Sequence, residues 1–264
     1  MIISGDISSA FRDSGPWMSL RLPAAILAAV LIALDIYWLF NQKLFRLLER
    51  EDWPALLSYL EIRFLRRGRY SARLTRLFVN TCLIMSDTRS VLDLENRLAL
   101  AKPALVERNA LAFGAAHILA KDYDGALRFF AARDKGDIGN SFPSFFNGSR
   151  SRQWIAWYHG FSLLLAMRFP DAGEKFSFLA REARDPVVAA LAAWFLADNL
   201  SKTADASLLE EAAAARERIR GVLKRRKNWE REIAKTETGI YAAIVRRYIN
   251  DAENWIYQTQ DGTT

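Results

Sequence analysis

The stretch LAKDYDGALRFFAARD, Leu119 to Asp134, decides how this chain is read. Asp122, Asp124 and Gly125 lie together between two apolar runs. That grouping suits a calcium loop or a tight turn between helices. A calcium loop takes oxygen ligands at positions 1, 3, 5 and 12, with glycine at 6. With Gly125 at position 6, Asp124 and Asp122 fill 5 and 3, but Ala120 and Ala131 stand at 1 and 12. The bidentate acid is missing. In the turn reading, Asp122 caps the second of two helices, and Gly125-Ala126 puts small residues at its close packing point.

Working outward, the turn recurs. Asp52-Trp53, Asp87-Thr88 and Asp122-Tyr123 each fill a short break between apolar helices, 35 residues apart twice. The next comparable break is Phe169-Pro170-Asp171, delayed by a polar, glycine-rich insert from Gly136 to Ser151. A fifth helix pair is predicted over Val187–Leu200 and Ala206–Leu223, and a last helix from about Asn228 to Gln258. From residue 41 on, apolar residues recur at threes and fours, and no alternating run is bounded by hairpin turns, so the chain reads as all-α.

Two pairs carry a sharper pattern. Gly114 and Ala126 stand twelve apart, as do Gly160 and Ala172, and Phe130 and Phe176 each follow the alanine by four. Pro186 closes the second set. Glycine lets two helices approach, alanine fits the facing hole, and the aromatic fills the gap to the next pair. With a period near 35, this resembles the tetratricopeptide repeat. The resemblance covers most of residues 40–225, with specific motifs in two pairs. The second pair has Val79 and Val91 at the small positions and Glu95 at the aromatic one; the first has Leu44 and Leu56. The resemblance implies a right-handed α-solenoid of about five helix pairs plus a C-terminal helix. Another α-solenoid or an irregular helical bundle is the alternative fold.

Ahead of the repeats, Leu22 to Phe40 reads LPAAILAAVLIALDIYWLF, with Asp35 as its one charge. A helix of that length spans about 28 Å, close to the hydrocarbon thickness. Tyr37 and Trp38 sit at its end, where interfacial aromatics belong. The run is long for a cleaved signal peptide and lacks a small-x-small site followed by a polar start, so an uncleaved single-span anchor is expected. Asp35 lies near the interface, where it can be hydrated. Ala24 with Ala28 and Ala29 with Ala33 could pack on another helix. Arg12 and Arg21 precede the span and Lys43, Arg46 and Arg50 follow it, leaning towards a cytoplasmic C-terminal domain. The expected layout is a tail over 1–20, an anchor over 21–40, a repeat domain over 41–258 and a tail over 259–264. No Gly or Pro separates Phe40 from Asp52, so the anchor is predicted to run without a linker into the first repeat helix.

The 264 residues are 51% hydrophobic and 12% aromatic, enough for a substantial core. A net charge of +7 favours anionic partners. The one cysteine, Cys82, rules out an internal disulfide and reads as a core residue. His117 and His159 have no ligand set at metal spacing, and both read as packed or partner-facing. No phosphate loop, GxGxxG or GxSxG is present, so neither an enzyme, a cofactor nor a metal site is expected. Asn147-Gly-Ser and Asn199-Leu-Ser match the glycosylation sequon, a pattern frequent by chance.

Function is therefore sought on surfaces. Arg63, Arg66, Arg67, Arg69, Arg73 and Arg76 form one basic cluster. Arg216, Arg218, Arg220, Lys224, Arg225, Arg226, Lys227 and Arg231 form another, relieved by Glu217 and Glu230. Either is a solvated face or a site for anionic lipid headgroups. Nucleic acid is disfavoured, because the clusters lack interleaved aromatics and any reading motif. The repeat resemblance implies a second surface, the groove lined by the first helix of each pair. It would present Trp154, Trp157 and Phe161, then Arg73, Arg76 and Asn80, and Arg108 with Leu111. The same aromatics could instead pack on the next pair or under the Gly136–Ser151 insert. Some tetratricopeptide proteins grip a C-terminal carboxylate; Arg76 and Asn80 fit the first part of that clamp, but Ala112 and Tyr158 stand where an Asn and a basic residue are needed. The resulting expectation is a membrane-anchored scaffold or assembly factor for other proteins. A binder of anionic lipid or nucleic acid is the alternative, and an enzyme subunit the third.

Overall fold

The computed structural model describes residues 15–66, 70–134, 148–200, 207–235 and 240–258. Arg67, Arg69, Asn147, most of the predicted insert and the 259–264 tail lie outside them, as do residues 1–14 of the N-terminal one; the side chains of Leu22 and Arg66 are likewise not described. Among the described residues every regular element is helical. In order these are α1 (Gly15–Glu49), α2 (Trp53–Glu61) with a π-helical turn at Ile62–Arg66, α3 (Ala72–Ile84), α4 (Thr88–Ala101), α5 (Pro103–Arg108) and α6 (Ala110–Leu119). Then come α7 (Tyr123–Asp134), α8 (Gly148–Leu165), α9 (Phe169–Glu182), α10 (Pro186–Phe195) with a π-helical turn at Leu196–Leu200, α11 (Ser207–Leu223), α12 (Arg226–Lys235) and α13 (Ile240–Tyr257). The chain divides into two compact units, Met1–Tyr59 and Leu60–Thr264.

In the first unit α1 is continuous but bends by 64° between Pro23–Leu39 and Asn41–Glu49. Asn41 Nδ2 donates to Tyr37 O at 2.8 Å beside the bend. A side chain competing for the i→i−4 ladder is a known source of kinks. The predicted passage from apolar segment to first repeat helix thus has no linker, but it is not straight. Among the described residues no single helix is long and apolar enough to cross a membrane; the two limbs of α1 together meet that test of length and composition. Every side chain from Pro23 to Leu39 is exposed.

The repeated turn is explicit in the backbone. Glu51, Ser86, Lys121 and Met167 adopt left-handed φ values of 51°, 59°, 59° and 60°. Each closes the preceding helix with the same two bonds. At the third turn Lys121 N–H donates to Ile118 O (3.0 Å) and Asp122 N–H to His117 O (3.0 Å), the pattern of a left-handed helix stop. Ser86 with Asp87, Glu51 with Asp52 and Met167 with Arg168 repeat it. An aspartate then caps the next helix: the N–H groups of Ala55, Ser90 and Gly125 donate to Oδ1 of Asp52, Asp87 and Asp122 at 3.1, 3.1 and 2.9 Å. At the fourth turn Arg168, not Asp171, holds the cap position, without a side-chain cap bond. Asp171 sits in the first turn of α9 and pairs with Arg168 instead (2.7 Å). The true offset from the third turn is therefore 46 residues, matching the Gly114–Gly160 spacing.

In the second unit each helix packs on the next: α3 on α4, α6 on α7, α7 on α8, α8 on α9, α9 on α10 and α10 on α11. First helices also meet one another, α3 with α6, α6 with α8 and α8 with α10. The expected small-residue pattern has a definite job. A Cβ on Gly114 would lie 2.0 Å from Phe130 Cζ, and one on Gly160 would lie 3.1 Å from Phe176 Cε1. The aromatic ring fills the space over the glycine of its own pair. It also reaches the next pair: Phe130 stacks on Tyr158 and Phe176 on Phe195, each at 5.3 Å between centroids. Ala126, Ala172, Val79 and Val91 are fully buried.

One boundary differs from the sequence expectation. The insert ends earlier, since α8 begins at Gly148. Of the last helix predicted over Asn228–Gln258, the described residues form α12 and α13, and 236–239 lie outside the described residues.

Candidate functional site: the first-helix face and the surrounding ionic contacts

The expected groove aromatics do not line an open surface. Trp154, Trp157 and Phe161 are 3%, 0% and 3% exposed. Trp157 stacks on Phe161 (5.2 Å) and meets Phe176 and Phe195 at 6.1 and 5.7 Å. The alternative reading, packing on the next pair, is the one the structure takes. The other reason is α13, which returns across the first helices and packs against α3, α6 and α10. Its Tyr248 meets Phe161 of α8 at 5.7 Å and Phe195 of α10 at 5.2 Å. Val245, Ile249, Ala252 and Ile256 of α13 are buried. Of the other expected groove residues, Arg73, Arg76 and Arg108 are exposed and Asn80 is half-buried.

Both histidines are held by acids that the sequence spacing did not suggest. His117 Nε2 lies 3.0 Å from Glu95 Oε2 and its Nδ1 lies 2.9 Å from Asp122 Oδ2. Glu95 occupies the slot that carries phenylalanine in the third pair, so it reaches the following pair as an ionic contact rather than a ring. Gly125 is required here, because a Cβ would fall 1.9 Å from Asp122 Oδ2. His159 Nδ1 and Lys175 Nζ both lie 2.5 Å from Asp134 Oδ2, joining α7, α8 and α9. Arg150 at the start of α8 reaches Asp185 Oδ2 (2.9 Å), in the residue that caps α10, and Glu232 Oε2 of α12 (2.7 Å). Among the described residues no group of His, Cys, Asp or Glu could hold a metal ion. Cys82 is buried and its thiol pKa is pushed up to about 12, chiefly by burial, which makes it inert.

These contacts carry a pH dependence. Burial disfavours the His117 charge, but the bonds to Glu95 and Asp122 outweigh it and raise the pKa above the ordinary 6.5. The bond from His117 likewise holds the Asp122 carboxyl below its ordinary range. The His117 contribution is full below about pH 6.5 and is lost as pH rises through the raised folded value. The Asp122 contribution runs the other way, lost as pH falls through its lowered value. Bonds of this type contribute about 1–3 kcal/mol. Thermal melting from pH 6 upward should show the gap between wild type and His117→Gln shrinking; a constant gap would contradict the clamp.

The second basic cluster divides in two. Arg216 lies over the Trp255 ring at 5.2 Å and donates to Gln258 O at 2.6 Å. Arg218 donates to the last carbonyls of α9, Ala180 O and Arg181 O. Arg226 reaches Glu253 (3.8 Å) and Asn254 (3.4 Å) of α13, and Arg220 pairs with Glu217 (3.1 Å). Lys224, Arg225, Lys227 and Arg231 are exposed. In the first cluster Arg63 is half-buried.

Comparison with known proteins places the chain in a family. It belongs to the family described as "Uncharacterised Treponema protein", whose model matches residues 90–258. A relative of Treponema pallidum (strain Nichols), described as "Uncharacterized protein", is 23% identical over 258 residues, covering 93% of this chain and 79% of its own. No solved structure matches. The matched region starts within α4 and ends just beyond α13, so the helix that closes the first-helix face belongs to the family unit.

Proposed function

We propose that this protein is a membrane-held helical-repeat scaffold for other proteins. The observation that carries the reading is the Pro23–Leu39 limb of α1. It exposes Ile26, Leu27, Leu31, Ile32, Leu34 and Trp38, each at 52–61% of its surface range. An exposed helix that is apolar but for Asp35 demands a non-aqueous neighbour. The limb is about 25 Å long at about 1.5 Å per residue, and Tyr37 and Trp38 stand at its end as interfacial aromatics do.

The repeated turns and the serial packing of helix pairs support a solenoid related to the tetratricopeptide class. Such folds mostly serve binding, a step taken by analogy of fold. The partner-binding surface is then not the aromatic first-helix face, which α13 covers, but the outward side chains, Arg73, Arg76 and Arg108 among them. The test is alkaline extraction of native membranes combined with cross-linking. The chain should stay in the pellet and be trapped with other protein chains; release into the wash, or recovery of the chain alone, counts against the reading.

A further inference from the structure

The corner where α11 ends and α12 begins carries a group of cations that the fold leaves unmatched among the described residues. Lys224, Arg225, Lys227 and Arg231 are exposed, and among the described residues none pairs with an acid. Their sequence neighbours Arg216, Arg218 and Arg226 are committed to α13 and to the end of α9, so the corner is what the fold leaves over. Lys227 and Arg231 lie on the side of α12 opposite Trp229, which is fully buried. Glu217 is held by Arg220, and exposed Glu230 is the acid beside the group. Val222 stands among these cations with 66% of its surface exposed.

We propose that this corner docks on anionic lipid headgroups, with Val222 entering the interface. The inference deepens the membrane-held reading and rests on it. Lysine and arginine donate to lipid phosphate oxygens, and an aliphatic side chain amid cations suits the headgroup boundary. A surface for single-stranded nucleic acid would offer aromatic faces for stacking. Here Trp229 is buried, while Trp255 and Tyr257 are half-buried with Arg216 and Arg226 over their rings. Each cation near an anionic surface changes affinity about fivefold.

The test uses the full chain carrying Val222→Cys with an environment-sensitive fluorophore, Cys82 being buried. The protein is reconstituted into vesicles of phosphatidylcholine alone, or of phosphatidylcholine with phosphatidylglycerol. With phosphatidylglycerol the emission should shift to the blue at low salt and return at high salt. The combined change Lys224→Glu, Arg225→Glu and Lys227→Glu should weaken docking by about 100-fold through the three lost cations alone, and further through the three acids added, and abolish the effect. Equal emission in both vesicles, or a shift that survives the triple reversal, overturns the proposal. So does a shift produced by duplex DNA and not by phosphatidylglycerol. Failure of the anchor shows separately, as loss of the protein from both kinds of vesicle after an alkaline wash.

Discussion

Trp157→Ala should destabilise the second unit by about 3–5 kcal/mol, the usual cost of removing a large buried aromatic. Trp157 is fully buried and touches rings from three helices, Phe161 in its own α8, Phe176 in α9 and Phe195 in α10, and Phe161 in turn lies against Tyr248 of α13. Trp157→Phe keeps most of those contacts and should cost much less. Lys227→Ala, at an exposed position, should leave stability within about 0.5 kcal/mol. Chemical denaturation of the three variants reads this order. If Trp157→Ala melted like wild type while abolishing partner capture, Trp157 would be a contact residue and the closed first-helix face would be wrong.

Gly114→Ala is expected to be the next most damaging. The added methyl would fall 2.0 Å from Phe130 Cζ, and Phe130 is fully buried and stacked on Tyr158, so its ring has nowhere to move. Overpacking costs about 1–3 kcal/mol or more, against about 1 kcal/mol gained from alanine's helix propensity. With no room for the ring to move the cost lies at the upper end, and a net loss of about 2 kcal/mol or more follows, or a fall in Tm of several degrees. Gly160→Ala is the control. Its Cβ would lie 3.1 Å from Phe176 and 3.3 Å from Lys175 Cγ, distances that small shifts absorb. It should stay within about 1 kcal/mol of wild type. Adding Phe130→Leu should partly rescue Gly114→Ala. Equal effects of the two glycine changes would mean that the ring does not sit over Gly114 as described.

The repeat was legible because its turn is chemically narrow. A left-handed stop followed by a capping aspartate leaves a mark at residues 52, 87 and 122, and the 35-residue period follows from three such marks. The fourth mark was misread by three residues, because Asp171 looks like the cap but pairs with Arg168, which holds the position. The groove was misassigned for a different reason. Periodicity shows which side of a helix faces inward only when another side is wet. α8 is buried at 154–158 and again at 160–163, being enclosed by α6, α7, α9 and α10, with Tyr248 of α13 against Phe161.

The apolar stripe of α13 — Val245, Ile249, Ala252 and Ile256 — is readable as an amphipathic face. Which helices it covers is a matter of chain return that no local pattern encodes. The histidine clamps escaped detection because their acids come from other helices, Glu95 standing 22 residues before His117. A signal was present: a glutamate in a slot that elsewhere holds a buried phenylalanine must find a polar partner.

We propose that the Pro23–Leu39 limb of α1 holds the protein at a membrane, and alkaline carbonate extraction of native membranes decides it when the full chain is compared with a Leu27→Asp, Leu31→Asp, Leu34→Asp variant. Charged residues at mid-span cost about 3 kcal/mol each. Wild type should stay in the pellet and the variant should appear in the wash, with unchanged thermal melting of the second unit. Wild type in the wash, or a variant retained in the pellet, would refute the membrane-held reading.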